Sequence, residues 1–137
     1  MRKKILLIVL VAIIPVTAVI VVFNILTQIG IDIKIKNETN KEISGLYVTY
    51  NEIKSDVEIP TLKQGEKYKL NVSHGKNSNK NFSEGALLLE YKDKNGQKHT
   101  EYLVGYIERG YSGFINIKLS DIDENGKIKM DIKDFAY

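Results

Sequence analysis

The residues best spaced for chemistry are Asp121, Asp123, Asn125 and Gly126, in the run Asp121-Ile122-Asp123-Glu124-Asn125-Gly126. Oxygen donors at the first, third and fifth places with glycine at the sixth are the spacing of an EF-hand calcium loop. Ile128 falls at the apolar eighth place. The twelfth, where such a loop needs a bidentate glutamate, is Ile132, and no helical periodicity flanks the run. Losing those two oxygens from a six- or seven-ligand shell should weaken calcium binding severely. Asp, Asn and Gly are equally the residues of a tight turn, so the run reads as a hairpin and no metal is expected.

The two histidines, His74 and His99, have no second ligand at a metal-binding spacing. Ser73 beside His74 makes no triad, because adjacent strand residues point to opposite faces and no third member orients them. His74 opens a polar stretch, 73–83, that reads as a solvated loop. Glu84, Glu90, Glu101 and Glu108 are carboxylates that could pair across strands as acid and base, but charge matching with lysines explains them as well. Cysteine is absent, which removes disulfides, thiolate metal sites and thiol catalysis. No catalytic residue, cofactor site or metal ligand is assigned, and the chain reads as non-enzymatic.

Tyrosine usage is more informative. The chain has 8 tyrosines and no tryptophan. Tyr102 and Tyr106 share a strand face by the two-residue period, and Tyr111 follows in a turn. Tyrosine gives amphipathic contact area at low entropic cost and favours recognition surfaces. Tyr102, Tyr106 and Tyr111 are therefore the expected partner-binding residues. Two of them exposed on one flat patch would also suit a cell-wall glycan or another small ligand. The plain alternative is that aromatics fill half-buried strand positions.

The elements that must position these side chains are strands. Ile31, Ile33 and Ile35 alternate with Asp32, Lys34 and Lys36. The same period runs through Leu46, Val48 and Tyr50, through Tyr68, Leu70 and Val72, through Ile115, Ile117 and Leu119, and through Ile128, Met130 and Ile132. Each pattern describes a strand with one buried and one wet face. Residues 57–59 form a weaker short strand ending at Pro60. Residues 86–91 and 102–107 are apolar on both faces and read as central strands. Asn95-Gly96 and Asn125-Gly126 mark hairpins. Little or no helix is expected after residue 30. About 7–8 short strands fit an all-β, antiparallel, immunoglobulin-like β-sandwich. The stretch Ile59-Pro60-Thr61-Leu62-Lys63-Gln64-Gly65-Glu66-Lys67-Tyr68 resembles the strand-turn-strand corner common in bacterial immunoglobulin-like modules.

Ahead of that domain, residues 5–26 carry no charge. As a helix they reach roughly 33 Å, enough to cross the hydrocarbon core of a bilayer. Arg2, Lys3 and Lys4 precede them and orient the N-terminus toward the cytoplasm. Val16-Thr17-Ala18 resembles a signal-peptide cleavage site, but cutting there would leave the apolar run 19–23 exposed. The expected organisation is a cytoplasmic tip 1–4, a single transmembrane signal-anchor helix 5–26, a short linker 27–30 and an extracytoplasmic β-sandwich domain 31–137. The lipid bilayer is then one partner.

Without Arg2, Lys3 and Lys4 the chain has 17 positive and 17 negative charges, so it lacks the net positive domain of a nucleic-acid binder. A neutral domain is expected to recognise its partner through contact area rather than long-range charge. Ile, Lys and Asn make up 48 of the 137 residues, and their codons are AT-rich. With the lack of cysteine this points to the surface of a Gram-positive bacterium, where the sequons at Asn37, Asn71 and Asn81 are incidental. The function expected from sequence is a membrane-anchored module binding another envelope or secreted protein, such as an accessory part of an export or transfer machine or a toxin-immunity protein.

Overall fold

The computed structural model describes residues 14–22 and 29–136. Eight strands follow one another: β1 (Ile31–Asn37), β2 (Tyr47–Thr49), β3 (Val57–Glu58), β4 (Lys67–Val72), β5 (Glu84–Lys92), β6 (Lys98–Glu108), β7 (Gly113–Ile122) and β8 (Ile128–Ala136). They form two four-stranded sheets, in the orders β4-β1-β7-β8 and β3-β2-β5-β6. One core lies between the sheets, so the chain folds as a β-sandwich.

The two-residue period explains the layers. Ile31, Ile33 and Ile35 of β1 and Ile115, Ile117 and Leu119 of β7 are buried, facing Val48, Leu87, Leu89 and Leu103 of the second sheet. Each such side chain contributes about 1.5–3 kcal/mol on burial, which fixes the strand register. The alternating residues of each strand must then face outward. One expectation of the all-antiparallel reading needs correcting: β1 and β7 run parallel. They are far apart in sequence, and the chain reaches β7 from β6, in the other sheet, so no hairpin imposes opposite directions.

Strand β6 lies at a sheet edge rather than at its centre. Its apolarity on both faces comes from irregular pairing. Leu88 faces Tyr102, Leu87 faces Val104 and Gly85 faces Ile107, so β6 has an extra residue at each step. The first bulge lets Leu103 and Val104 both turn inward, and both are buried. The second leaves Gly105 and Tyr106 both exposed before Ile107 returns to the core. A bulged edge also resists pairing with another chain.

The Asn-Gly hairpins form, with a wider turn than the two-residue type. Gly96 and Gly126 take positive φ, whereas Asn95 and Asn125 do not. Asp93 Oδ1 accepts the amides of Asn95 (2.8 Å) and Gln97 (2.9 Å), and Asp123 Oδ1 accepts that of Lys127 (2.8 Å). These carboxylates hold a turn that closes on glycine alone. The two tips dock on each other. The Lys94 amide donates to Asn125 O at 2.9 Å, and Lys94 Nζ donates to Glu124 O at 2.9 Å. Nearby, the buried Tyr91 hydroxyl accepts the Ile128 amide at 2.9 Å, joining the sheets.

The stretch 73–83 is more ordered than the expected solvated loop. It begins with one helical turn, His74–Asn77. Ser73, Ser78 and Phe82 are buried, and Ser78 Oγ lies 2.8 Å from the Tyr50 hydroxyl. Arg109 holds it down, with Nε donating to Phe82 O and Nη2 to Lys80 O, each at 2.6 Å. Phe82 is the apolar residue that pins the polar run to the core.

Of the expected membrane span 5–26, residues 14–22 are helical and exposed. The cytoplasmic tip 1–4, the remainder of the span and residues 27–28 of the linker lie outside the described residues. Among the described residues no helix is long and apolar enough to cross a membrane.

At the end of β1, Asn37 is fully buried. Its Nδ2 donates to Lys41 O (2.8 Å) and Leu62 O (2.9 Å), while Oδ1 accepts the Thr39 amide (3.0 Å) and hydroxyl (2.8 Å). This network guides the chain out of one sheet toward the other, and leaves the first sequon without an accessible acceptor. Asn37→Ala should destabilise the domain by about 2–4 kcal/mol, because several partners lose a buried bond at once. Urea unfolding followed by circular dichroism measures this.

Candidate functional site

The hydrogen-bonded register gathers charge that the sequence disperses. On the outer face of the β4-β1-β7-β8 sheet, one cross-strand row holds Lys67, Lys36, Lys118 and Asp131. The next holds Lys69, Lys34, Asn116 and Lys133, and the third Asn71, Asp32, Phe114 and Phe135. Six lysines thus meet two aspartates over three rows. Lys36 pairs with Glu38 at 2.6 Å, while the other five make no ion pair with any described residue. Asp32 instead accepts a hydrogen bond from Asn71 Nδ2 at 2.8 Å. Lys34 lies directly across from Lys69 and Lys36 from Lys67, an arrangement that opposes strand pairing.

A shallow groove of about 460 Å³ crosses this face, lined by Asp32, Lys34, Lys69, Asn71, Phe114 and Asn116 together with backbone between them. At its end Phe114 and Phe135 stack with centroids 4.8 Å apart, and remain 48% and 51% exposed. Sequence reasoning missed this face. Its signal, lysine at the outward positions of β1, β4, β7 and β8, becomes a patch only when the strand order is known.

The opposite outer face, on β3-β2-β5-β6, carries Glu58, Glu84, Glu90 and Glu108 against Lys92 and Lys98. Glu90 is buried there beneath its neighbours: Lys98 Nζ lies 2.7 Å from Oε2 and Thr100 Oγ1 donates to Oε1 at 3.1 Å. Burial disfavours its charge, but hydrogen bonds from Lys98, Tyr47 and Thr100 outweigh that and hold its pKa below the usual carboxylate range. The 17-to-17 balance therefore conceals two outer faces of opposite sign.

The three expected partner-binding tyrosines are not equivalent. Tyr102 and Tyr106 lie on the outer face of β6, 67% and 50% exposed. The Tyr106 hydroxyl donates to Glu84 Oε2 at 3.0 Å, with Glu108 Oε2 3.3 Å away. That hydrogen bond to Glu84, followed by desolvation, pushes its pKa up. Tyr111 sits in the turn after β6, half-buried and packed against the core.

The candidate chemical residues are also placed. The calcium-like run is the β7–β8 hairpin, where Asp121 Oδ1 accepts the Ile122 amide at 2.8 Å. His99 Nε2 lies 3.0 Å from Asp93 Oδ2, and its ring stacks on Tyr91 at 5.0 Å. The His99 hydrogen bond holds the Asp93 pKa down, aided by the Gln97 and Asn95 amides against desolvation. His99 thus has one carboxylate, used within the hairpin. His74 packs on Phe82 with centroids 5.7 Å apart, and its buried Nδ1 has no hydrogen-bond partner among the described residues. Among the described residues no three His, Asp or Glu side chains gather as a metal site.

No protein-family model and no curated protein matches this chain. An NMR structure of a protein from Eubacterium rectale superposes on it with a TM-score of 0.46 and 15% identity, covering 75% of this chain and 87% of that one.

Burial pushes the His74 pKa down, and the Arg109 and Lys54 charges add to the effect. The folded state therefore resists a proton that the unfolded chain accepts. Its contribution to stability is full above the unfolded value of about 6.5 and declines as pH falls below it. Thermal melts between about pH 7.5 and 5.5 should show a smaller acid-induced loss of Tm in His74→Asn than in the wild type.

Proposed function

We propose that this chain is a non-enzymatic, membrane-anchored module that binds another envelope or secreted protein outside the cytoplasm. The observation that carries the reading is the exposure of Tyr102 and Tyr106 on the outer face of β6. Exposed aromatics on a rigid sheet offer contact area without ordering a loop. Tyr111 serves as a support for the turn beside them. The uncharged run 5–26 acts as the anchor, with Arg2, Lys3 and Lys4 inside and the domain outside. A Gram-positive cytoplasmic membrane is the proposed location.

The strand pairings support an immunoglobulin-like arrangement. An immunoglobulin core joins its B and E strands in one sheet and its C, F and G strands in the other. Here β1 pairs with β4, while β2 pairs with β5 and β5 with β6. In this reading β7, parallel to β1, and β8 are an added hairpin beside that core. A second reading, a cell-wall glycan module, draws support from the same two tyrosines sharing one outer face.

Photo-cross-linkers placed at positions 102 and 106 of the full chain in living cells test the first reading. One discrete envelope or secreted protein should be trapped from both sites and not from position 54, and Tyr102→Ala with Tyr106→Ala should weaken binding of that protein at least about tenfold, as loss of two central aromatics does. Co-sedimentation with purified cell-wall sacculi that depends on the two tyrosines, with no protein trapped, would favour the glycan reading instead. Protease added to wall-stripped cells should digest the domain while leaving the N-terminal segment protected.

A further inference from the structure

We propose that the lysine face of the β4-β1-β7-β8 sheet lies against the headgroups of an anionic phospholipid bilayer, with Phe114 and Phe135 at the interface. The proposal rests on the anchored reading above for the nearness of the membrane. From residue 26 to Ile31, where β1 begins, the chain can extend at most about 18 Å. Ile31 pairs with Gly113, so the Phe114–Phe135 stack lies at the end of the sheet where the chain arrives. The rows of lysines follow at steps of two residues, about 7 Å each.

The chemistry of the face fits a lipid surface better than a folded partner. Its cations are lysines, compact charges on flexible stems, and no arginine is among them to grip an anion through a planar fork. Lys34, Lys69, Lys118 and Lys133 make no ion pair with any described residue and face outward together. Directly opposed lysines within one sheet are unfavourable for strand pairing, and an external layer of negative charge relieves that repulsion. Exposed stacked phenylalanines beside the lysines supply the apolar component of an interfacial surface. Polybasic surfaces next to an anchor are drawn to anionic leaflets over about a Debye length. The opposite, glutamate-bearing face with Tyr102 and Tyr106 would then be turned away from the bilayer, toward a partner.

The test uses the full chain reconstituted in vesicles of phosphatidylcholine, with or without phosphatidylglycerol. A neutral acetylating reagent labels accessible amines, and mass spectrometry reads each lysine. Phosphatidylglycerol should reduce labelling of Lys34, Lys69, Lys118 and Lys133 at least threefold, with Lys92 and Lys98 on the opposite face unchanged. Phe114→Ser with Phe135→Ser should restore part of that labelling. Equal labelling in both vesicles, or equal protection of all lysines, overturns the proposal. So does protection by soluble polyglycerol phosphate in phosphatidylcholine vesicles with none from phosphatidylglycerol, which would assign the face to an anionic wall polymer. Alkaline carbonate extraction scores the anchor separately: release of the chain defeats the anchored reading, while the lipid-dependent labelling still reports on the face.

Discussion

Strand β1 is the constraint on which the rest of the domain depends. It is hydrogen-bonded on both sides, antiparallel to β4 and parallel to β7, and its inward side chains are three isoleucines and Asn37. A shift of one residue would expose the isoleucines and bury lysines, at a cost far beyond the domain's marginal stability. With register so fixed, the outward side chains of three adjacent strands are also fixed. The lysine rows are therefore a direct consequence of core packing, and their mutual repulsion is a load the core carries.

That repulsion is distributed unevenly across the molecule. One outer face collects lysines and the other collects glutamates, though the chain after Lys4 is neutral as a whole. Such a domain has no monopole, but it has direction, and a charged surface near its anchor orients it. The buried Glu90, bound by Lys98, Tyr47 and Thr100, shows how the glutamate face manages its own charge. Among the described residues the one ion pair on the lysine face is Glu38 with Lys36, and the Glu38 charge also acts on Lys118 and Lys67.

The ends of the sandwich are held by polar groups in apolar settings. At one end Tyr91 and Lys94 tie the two hairpins together across the layers. At the other, Arg109 and the Tyr50–Ser78 contact hold the stretch 73–83 over the core, with Phe82 inserted beneath. These ties are specific hydrogen bonds between segments distant in sequence. They prevent the sheets from sliding in a way that apolar contact alone does not.

Strand positions, inward faces and hairpin sites were legible in the sequence, because alternation of isoleucine with lysine and the Asn-Gly pairs are local signals that act within one strand or turn. The exposure of Tyr102 was not, because residues 102–107 are apolar on both faces and read as a central strand. Beyond that point local signals ended. Whether β6 was central or an edge depended on bulges that put Leu103 and Val104 on the same side, and a bulge arises between two strands. The burial of Phe82 beneath a polar run depended on Arg109, more than twenty residues away. Composition by itself established neutrality, but the order of the strands in each sheet decided where the charges stand. Lysines scattered over β1, β4, β7 and β8 became one surface only because hydrogen-bonded neighbours lie about 5 Å apart, regardless of their separation along the chain.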